Sequence, residues 1–330
     1  MDTQMKAIVY TKYGPPDVLQ LKEVEKPVPG DNDVLVKVYA ASVNSWDWDL
    51  LRGKPLVFRF WGLLKPKYQI PGADIAGKVE TVGKNVRQFQ PGDEVFGDLC
   101  AYGWGGFAEY VCAHKNALTL KPTSMTFEEA AAIPQAAVMA LQGIRDKGQV
   151  RPGQKVLING AGGGVGTFAV QMAKSFGAEV TGVDSTEKLD IMRSTGADQV
   201  IDYTQEDFTK NGLCYNMILD IAAYHSIFDY KHSLSPEGVY IMVGGSPVRI
   251  FQTIFLGPLI SMTGNKKMGI LAHKPNKDLA FIKELFETGK VVPVIDKRYP
   301  LNETPEAFRY FGEGHVRGKV VITVEHNSKI

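Results

Sequence analysis

The feature that most constrains the fold is the run Gly160-Ala161-Gly162-Gly163-Gly164-Val165-Gly166. It follows KVLING at 155–160, which reads as a short buried strand. It precedes 165–175, where Val165, Phe168, Ala169 and Met172 fall on one helical face. Residues without a Cβ let the backbone turn tightly and let a ligand approach it closely. The helix that follows offers unpaired N–H groups and a positive dipole end, which suit a pyrophosphate. The strict G-x-G-x-x-G register runs Ala161, Gly163, Gly166, with alanine in the first place. The other reading is a tight strand-to-helix turn that holds nothing.

The pattern around this turn is repetitive in kind. EVTGVD (179–184) reads as a second strand and KLDIMRSTGA (188–197) as a second helix closed by Gly196. QVIDY (199–203), MILDIA (217–222) and VYIMVGG (239–245) read as further strands. Strand and helix alternating at this spacing predict an α/β, doubly wound parallel sheet of the Rossmann kind. The first third differs. KAIVY (6–10), VLVKVYAASV (34–43) and GKVETVG (77–83) are short, β-branched and bounded by turn residues, as in a small barrel or sandwich. KVVPVIDKRYPL and KVVITV at the end return to that character. The expected division is therefore 1–125 plus 293–330 for a β domain and 126–292 for a nucleotide-binding domain. Residues 246–275 give no clear pattern.

Composition narrows the classes. Lys plus Arg total 37 and Asp plus Glu 36, a net charge of +1 that disfavours a nucleic-acid partner. A hydrophobic fraction of 44% excludes a disordered chain. Cys100, Cys112 and Cys214 are too few for a disulfide framework or a four-cysteine zinc lobe and read as buried structural residues. MDTQMKAIVY carries no secretory pattern and no apolar run approaches the ~20 residues of a membrane span, so a cytoplasmic protein is expected.

The second strand bears on the nucleotide. An acid at its end bonds the ribose hydroxyls of NAD and repels a 2′-phosphate. Asp184 stands there, about 20 residues past the glycine turn. Lys188 and Tyr203 lie where either could approach a 2′-phosphate, so the signals conflict. Asp184 could equally cap the following helix.

Several segments together resemble the medium-chain dehydrogenase/reductase superfamily, in its zinc-free quinone oxidoreductase and enone reductase branch. They are MKAIVYTKYGPPDVLQL, VLVKVYAASVNSWD, PGADIAGKVETVG, PGDEVFG, GGFAEYV, KVLINGAGGGVG, GADQVIDY and RGKVVITV. The resemblance implies a GroES-like β-barrel domain beside the Rossmann domain, with cofactor and substrate in a cleft between them. It implies NADH or NADPH as cofactor and a quinone or α,β-unsaturated carbonyl as substrate, and members often form homodimers. Zinc-dependent relatives place Cys and His where this chain has Asn44 and Ala73, so no metal is expected.

The resemblance assigns roles one by one. Asn44 contacts the nicotinamide or substrate region. Ala161, Gly163, Gly164 and Val165 form the pyrophosphate turn. Asp184, Lys188 and Tyr203 surround the adenosine ribose, where the acid tilts the choice towards NADH. Val243 and Gly244 end a strand beside the nicotinamide ribose, and Lys319 reaches the cofactor from the closing segment. Asn44 is also suited to stabilise a developing oxyanion. Asp47 is either a general acid or a cap for the helix in WDWDLLRG. Among the many aromatics near the expected pocket, including Phe58, Phe60, Trp61 and Trp104, Trp46 and Tyr102 are the first choices to line it. A zinc-free enzyme acting on another activated carbonyl, or a nucleotide-binding protein without catalysis, are the competing readings.

Overall fold

The computed structural model describes residues 3–54, 59 and 62–326. The chain divides into two compact units. One is Met1–Gln135 with Pro275–Glu287 and Ile295–Ile330, and the other is Ala136–Lys274 with Thr288–Val294. Residues 126–135 and 275–287, placed by sequence with the nucleotide-binding half, thus pack in the first unit.

The first unit begins with an antiparallel pair, β1 (Gln4–Val9) and β2 (Gln20–Glu25). It continues with β3 (Asp33–Val43), β4 (Asp74–Val82), β5 (Glu94–Asp98), β6 (Tyr110–His114) and β7 (Thr119–Leu120), all antiparallel to their neighbours. The eleven residues of β3 are rich in Val and Ala and buried along nearly their whole length, as expected of a strand covered on both faces. The helix Phe127–Ala132 starts at a capping box. Glu129 N–H donates to Thr126 Oγ1 at 3.2 Å, while Thr126 N–H donates to Glu129 Oε2 at 2.8 Å.

In the second unit, β8 (Lys155–Asn159), β9 (Glu179–Asp184), β10 (Gln199–Asp202), β11 (Tyr215–Asp220), β12 (Leu234–Met242) and β13 (Lys267–Ile270) form one all-parallel sheet. Their order is β10-β9-β8-β11-β12-β13. The chain leaves β8 towards one side and returns on the other at β11. The loop after β8 therefore lies at the topological switch point, where open α/β sheets bind ligands. Leu157, Val183, Ile218, Tyr240 and Phe208 pack in its core. The stretch 246–275 resolves into the helix Pro247–Thr263 followed by β13. Its apolar residues lie all round the helix, which hid the period.

The tail then rejoins the first unit. β14 (Ile295–Pro300) runs parallel to β15 (Lys319–Thr323), and β15 pairs antiparallel with the second half of β3, Val320 opposite Val43. The last strand thus sits inside the sheet, in the order β14-β15-β3-β4-β5-β7. Its Val320 and Ile322 share one core with Val36, Val43, Ile75 and Phe308. No described helix is long and apolar enough to cross a membrane.

Candidate active site

The glycine turn and the residues around it belong to the second unit. Gly160 leaves β8 with φ at 84°, in the left-handed region that favours glycine, and both Gly160 and Ala161 donate N–H bonds to Val183 O at 2.9 and 3.1 Å. The turn is tied to β9 in this way. The helix Gly164–Ser175 follows, with Gly163 at its N-cap. A Cβ on Gly166 would stand 2.1 Å from Gly160 O and 2.6 Å from the Ala161 backbone, so this helix packs onto the turn only as glycine. A Cβ on Gly163 would have no heavy atom nearer than 3.6 Å. That open cradle, faced by the unpaired N–H groups of the helix's first turn, fits a pyrophosphate. Ala161 is fully buried, and a Cβ on Gly182 of β9 would meet its Cβ at 3.1 Å. The alanine in the first fingerprint position is thus packed against the sheet.

Asp184 ends β9 nearly buried. Its Oδ2 accepts the Gly162 N–H at 2.9 Å and its Oδ1 accepts the Ser185 N–H at 2.9 Å. Lys188, also nearly buried, places its Nζ 3.6 Å from Asp184 Oδ1. The structure therefore brings the acid and the lysine together at the glycine turn. Tyr203 is half-exposed, with its ring centroid 5.8 Å from that of Tyr224. Val243 and Gly244 leave β12 with Val243 N–H on Asp220 O at 2.7 Å, so they rise from the same edge of the sheet as the glycine turn. A Cβ on Gly244 would lie 3.0 Å from Ile221 O.

A separate cluster of buried polar residues belongs to the first unit. Asn44 caps the helix Ser45–Arg52 and is 6% exposed. Its Nδ2 donates to Asp74 Oδ2 at 3.0 Å, and its Oδ1 accepts from Lys319 Nζ. Lys319 also donates to Val43 O at 3.3 Å and stands 3.8 Å from Asp74 Oδ2. Asp74 accepts the Gln135 N–H at 3.2 Å. Lys319 is 3% exposed, an interior cation hydrogen-bonded to Asn44 and ion-paired with Asp74. Burial pushes the Asp74 carboxyl well up and the Lys319 ammonium down, and each charge opposes the shift of the other.

Asp47 is fully buried and serves both ends of a loop. Its Oδ2 accepts the Asn44 N–H at 2.9 Å and its Oδ1 accepts the Gly72 N–H at 3.1 Å. Burial pushes its carboxyl up to about 7 against these two donors and the Lys319 charge. Asp98, also fully buried, accepts from Cys100 N–H at 2.8 Å and from Cys100 Sγ at 3.2 Å. Burial and that carboxylate push the Cys100 thiol strongly up, which keeps it protonated and unreactive. Cys214, expected to be buried, is exposed.

Trp46 packs with Leu50, Tyr68, Ala73, Cys100 and Trp104 in one apolar cluster. Tyr102 is absent from that cluster. It is half-exposed and stacks on His114, centroids 4.6 Å apart and planes 4° apart. Trp104, within the cluster, is held with φ at 65° between Gly103 and Gly105, a conformation that bulky residues seldom adopt. Phe58, Phe60 and Trp61 lie outside the described residues. Sequence reading passed over Asp74 and Asp98. Asp74 stands one residue past Ala73 in GADIAG, and a lone acid in a strand gives no pattern to read.

A family model described as an alcohol dehydrogenase GroES-like domain matches residues 30–123, and one described as a zinc-binding dehydrogenase matches 195–322. The chain is 31% identical to a chloroplastic quinone oxidoreductase, QR1, of Triphysaria versicolor, over 96% of this chain and 98% of the relative. It is 33% identical to the 2-methylene-furan-3-one reductase of Solanum lycopersicum, over 97% of this chain and 79% of that one. Among solved structures, the quinone oxidoreductase from Coxiella burnetii superposes with a TM-score of 0.87 at 28% identity, covering 98% of this chain and all of the other. The chain belongs to the medium-chain dehydrogenase/reductase superfamily, in its quinone oxidoreductase and enone reductase branch. It is an oxidoreductase that combines a Rossmann unit with a GroES-like β unit.

Proposed function

We propose that the protein reduces a quinone or an α,β-unsaturated carbonyl with NAD(P)H, and does so without zinc. The observation that carries the reading is the open cradle over Gly163 beside the Asp184 carboxylate. The names of the Triphysaria and tomato relatives supply the substrate class. When bound, the reduced nicotinamide supplies the hydride. The chain's own part is to hold and orient. The glycine turn holds the pyrophosphate, and Asp184 offers its carboxylate to the ribose hydroxyls, which favours NADH over NADPH. Asn44 donates its remaining Nδ2–H to the acceptor oxygen as that oxygen gains charge. Solvent supplies the proton. At the positions where zinc-dependent relatives carry Cys and His, Asn44 is bonded to Lys319 and Asp74, and Ala73 is buried without a ligand atom. The deciding experiment is oxidation of NADH and of NADPH against a panel of quinones and enones. Tight cofactor binding without turnover on any member would favour the non-catalytic nucleotide-binding reading instead.

We also infer a homodimer. The helix Pro247–Thr263 exposes Val248, Phe251, Phe255, Leu259 and Met262, spaced three and four residues apart along one face. Phe251 is 61%, Phe255 65% and Met262 82% exposed, an apolar stripe of a kind that marks contact surfaces. β13 beside it is the outer strand of its sheet, with one edge open to pairing. Light scattering on the eluting protein measures the mass, and a monomer at micromolar concentration would exclude the dimer.

A further inference from the structure

We propose that Lys319 is a positioning residue, which with Asp74 locks the side-chain amide of Asn44 in one orientation. The inference rests on the reading of Asn44 as the donor to the acceptor oxygen, and it assigns the device that aims that donor. Lysine is almost never fully buried unless it is paired. Here it reaches the interior from β15, because Val320 lies opposite Val43 and Lys319 is the residue before it, level with the end of β3 that leads into Asn44. The three side chains close a ring. Lys319 Nζ donates to Asn44 Oδ1, Asn44 Nδ2 donates to Asp74 Oδ2 at 3.0 Å, and Asp74 Oδ2 lies 3.8 Å from Lys319 Nζ.

The ring decides which way the amide points. A flipped Asn44 would set its NH2 against the ammonium and its oxygen against the carboxylate, turning two attractive contacts into two repulsive ones. The amide oxygen is therefore committed to the interior. One Nδ2–H is held by Asp74, and the second has no partner among the described residues. Asp74 is itself anchored from the backbone of Gln135 at 3.2 Å and by the Ser42 hydroxyl at 3.5 Å. Asp47 fixes the Asn44 main chain from the other side at 2.9 Å. An asparagine held at both main chain and side chain donates along one direction. A donor that needs no reorganisation at the moment of reaction is the kind that stabilises developing charge.

A double-mutant cycle separates this role from direct cofactor contact and from bulk stability. Lys319→Met should lower kcat about 10–100-fold in the wild-type background, with the reduced-cofactor Kd, read by nucleotide fluorescence, within about twofold. In Asn44→Ala, the same change should have little further effect on kcat. Additive losses, or a cofactor Kd that rises with Lys319→Met, would overturn the positioning role. If Lys319→Met alone does not accumulate, Lys319→Met/Asp74→Asn removes both charges and carries the same cycle. An arm that needs no turnover uses nitrogen-15 correlation spectra, with the Asn44 amide signal identified by its loss in Asn44→Ala. That signal should exchange slowly in the wild type and rapidly in Lys319→Met, and equal exchange in both would refute the lock. A wild type that turns over no quinone or enone yet shows the slow amide would sink the proposed function alone.

Discussion

Gly166→Ala and Gly163→Ala, three residues apart, should fail in different ways. At Gly166 the added Cβ meets backbone atoms, Gly160 O at 2.1 Å and Ala161 Cα at 2.6 Å, where ordinary contact begins near 3.4 Å. The turn or the helix must retreat by more than an ångström. That movement strains the N–H bonds from Gly160 and Ala161 to Val183 O and from Gly163 to Gly160 O. Overpacking costs about 1–3 kcal/mol and the partial weakening of these hydrogen bonds about 1 kcal/mol in all, so a loss of roughly 2–4 kcal/mol is expected. For a unit of this size that is a fall in Tm of about 5–15 °C. At Gly163 the nearest atom to the new Cβ is 3.6 Å away and φ is −88°, which alanine adopts freely. The stability loss there should stay under about 1 kcal/mol, the difference between glycine and alanine at an N-cap. Its Cβ nevertheless enters the space assigned to the pyrophosphate, so affinity for NAD(P)H should fall at least about tenfold, some 1.4 kcal/mol. Scanning fluorimetry and nucleotide-fluorescence titration on both variants give the comparison. A Gly163→Ala protein that binds cofactor as the wild type does would refute the placement of the phosphates over this turn.

Asp184→Ser should raise kcat/KM for NADPH relative to NADH by removing the carboxylate that repels a 2′-phosphate; a wild type that already prefers NADPH strongly would contradict this reading of Asp184. Asp220 is fully buried, bonded to Tyr240 Oη at 2.8 Å and Asn159 Nδ2 at 2.8 Å, and burial pushes its carboxyl up to about 6. Its folded-state value lies above the unfolded one, so its ionisation penalty is absent below about pH 4 and complete above about pH 6. Asp220→Asn should therefore gain on the wild type by about 3 kcal/mol between those limits in denaturant titrations, and a difference that does not change with pH would count against it. Phe251→Asp with Phe255→Asp should give a stable monomer by light scattering, and an unchanged mass would move the interface elsewhere. Dialysis against a chelator should leave activity intact, with metal analysis as the check; activity lost on chelation and restored by stoichiometric zinc would overturn the zinc-free proposal.

What the sequence revealed and concealed follows the range of each interaction. The turn at 160–166 was legible because strand, glycines and helix are contiguous, and the spacing that places Asp184 is set by one βαβ unit. The relation of Asn44 to Asp47 was legible as a cap, since position N3 reaches back to the N-cap within one helical turn. Lys319 was not. Its partners lie 275 and 245 positions away in the chain, and a lysine in a strand looks alike in sequence whether its ammonium faces solvent or the interior. Trp104 was read as one aromatic among several, and its left-handed backbone was hidden for a different reason. Its backbone occupies a region where glycine is the expected residue, so no pattern of side chains announces it. The helix Pro247–Thr263 lacked a polar face because part of its apolar surface is external.

The position of β15 ties the order of synthesis to competence. The second unit has all its residues once position 294 has been made, whereas the first unit's sheet stays open along the end of β3 until residues 319–323 arrive. A nascent chain can therefore present a finished glycine turn while Asn44 and Asp74 still lack Lys319. Proteolytic trimming that removed β15 would leave the glycine turn intact and disarm the amide. Under the proposed function, nucleotide retention would report on residues 136–274 with 288–294 and turnover on the docking of residues 319–323 against β3.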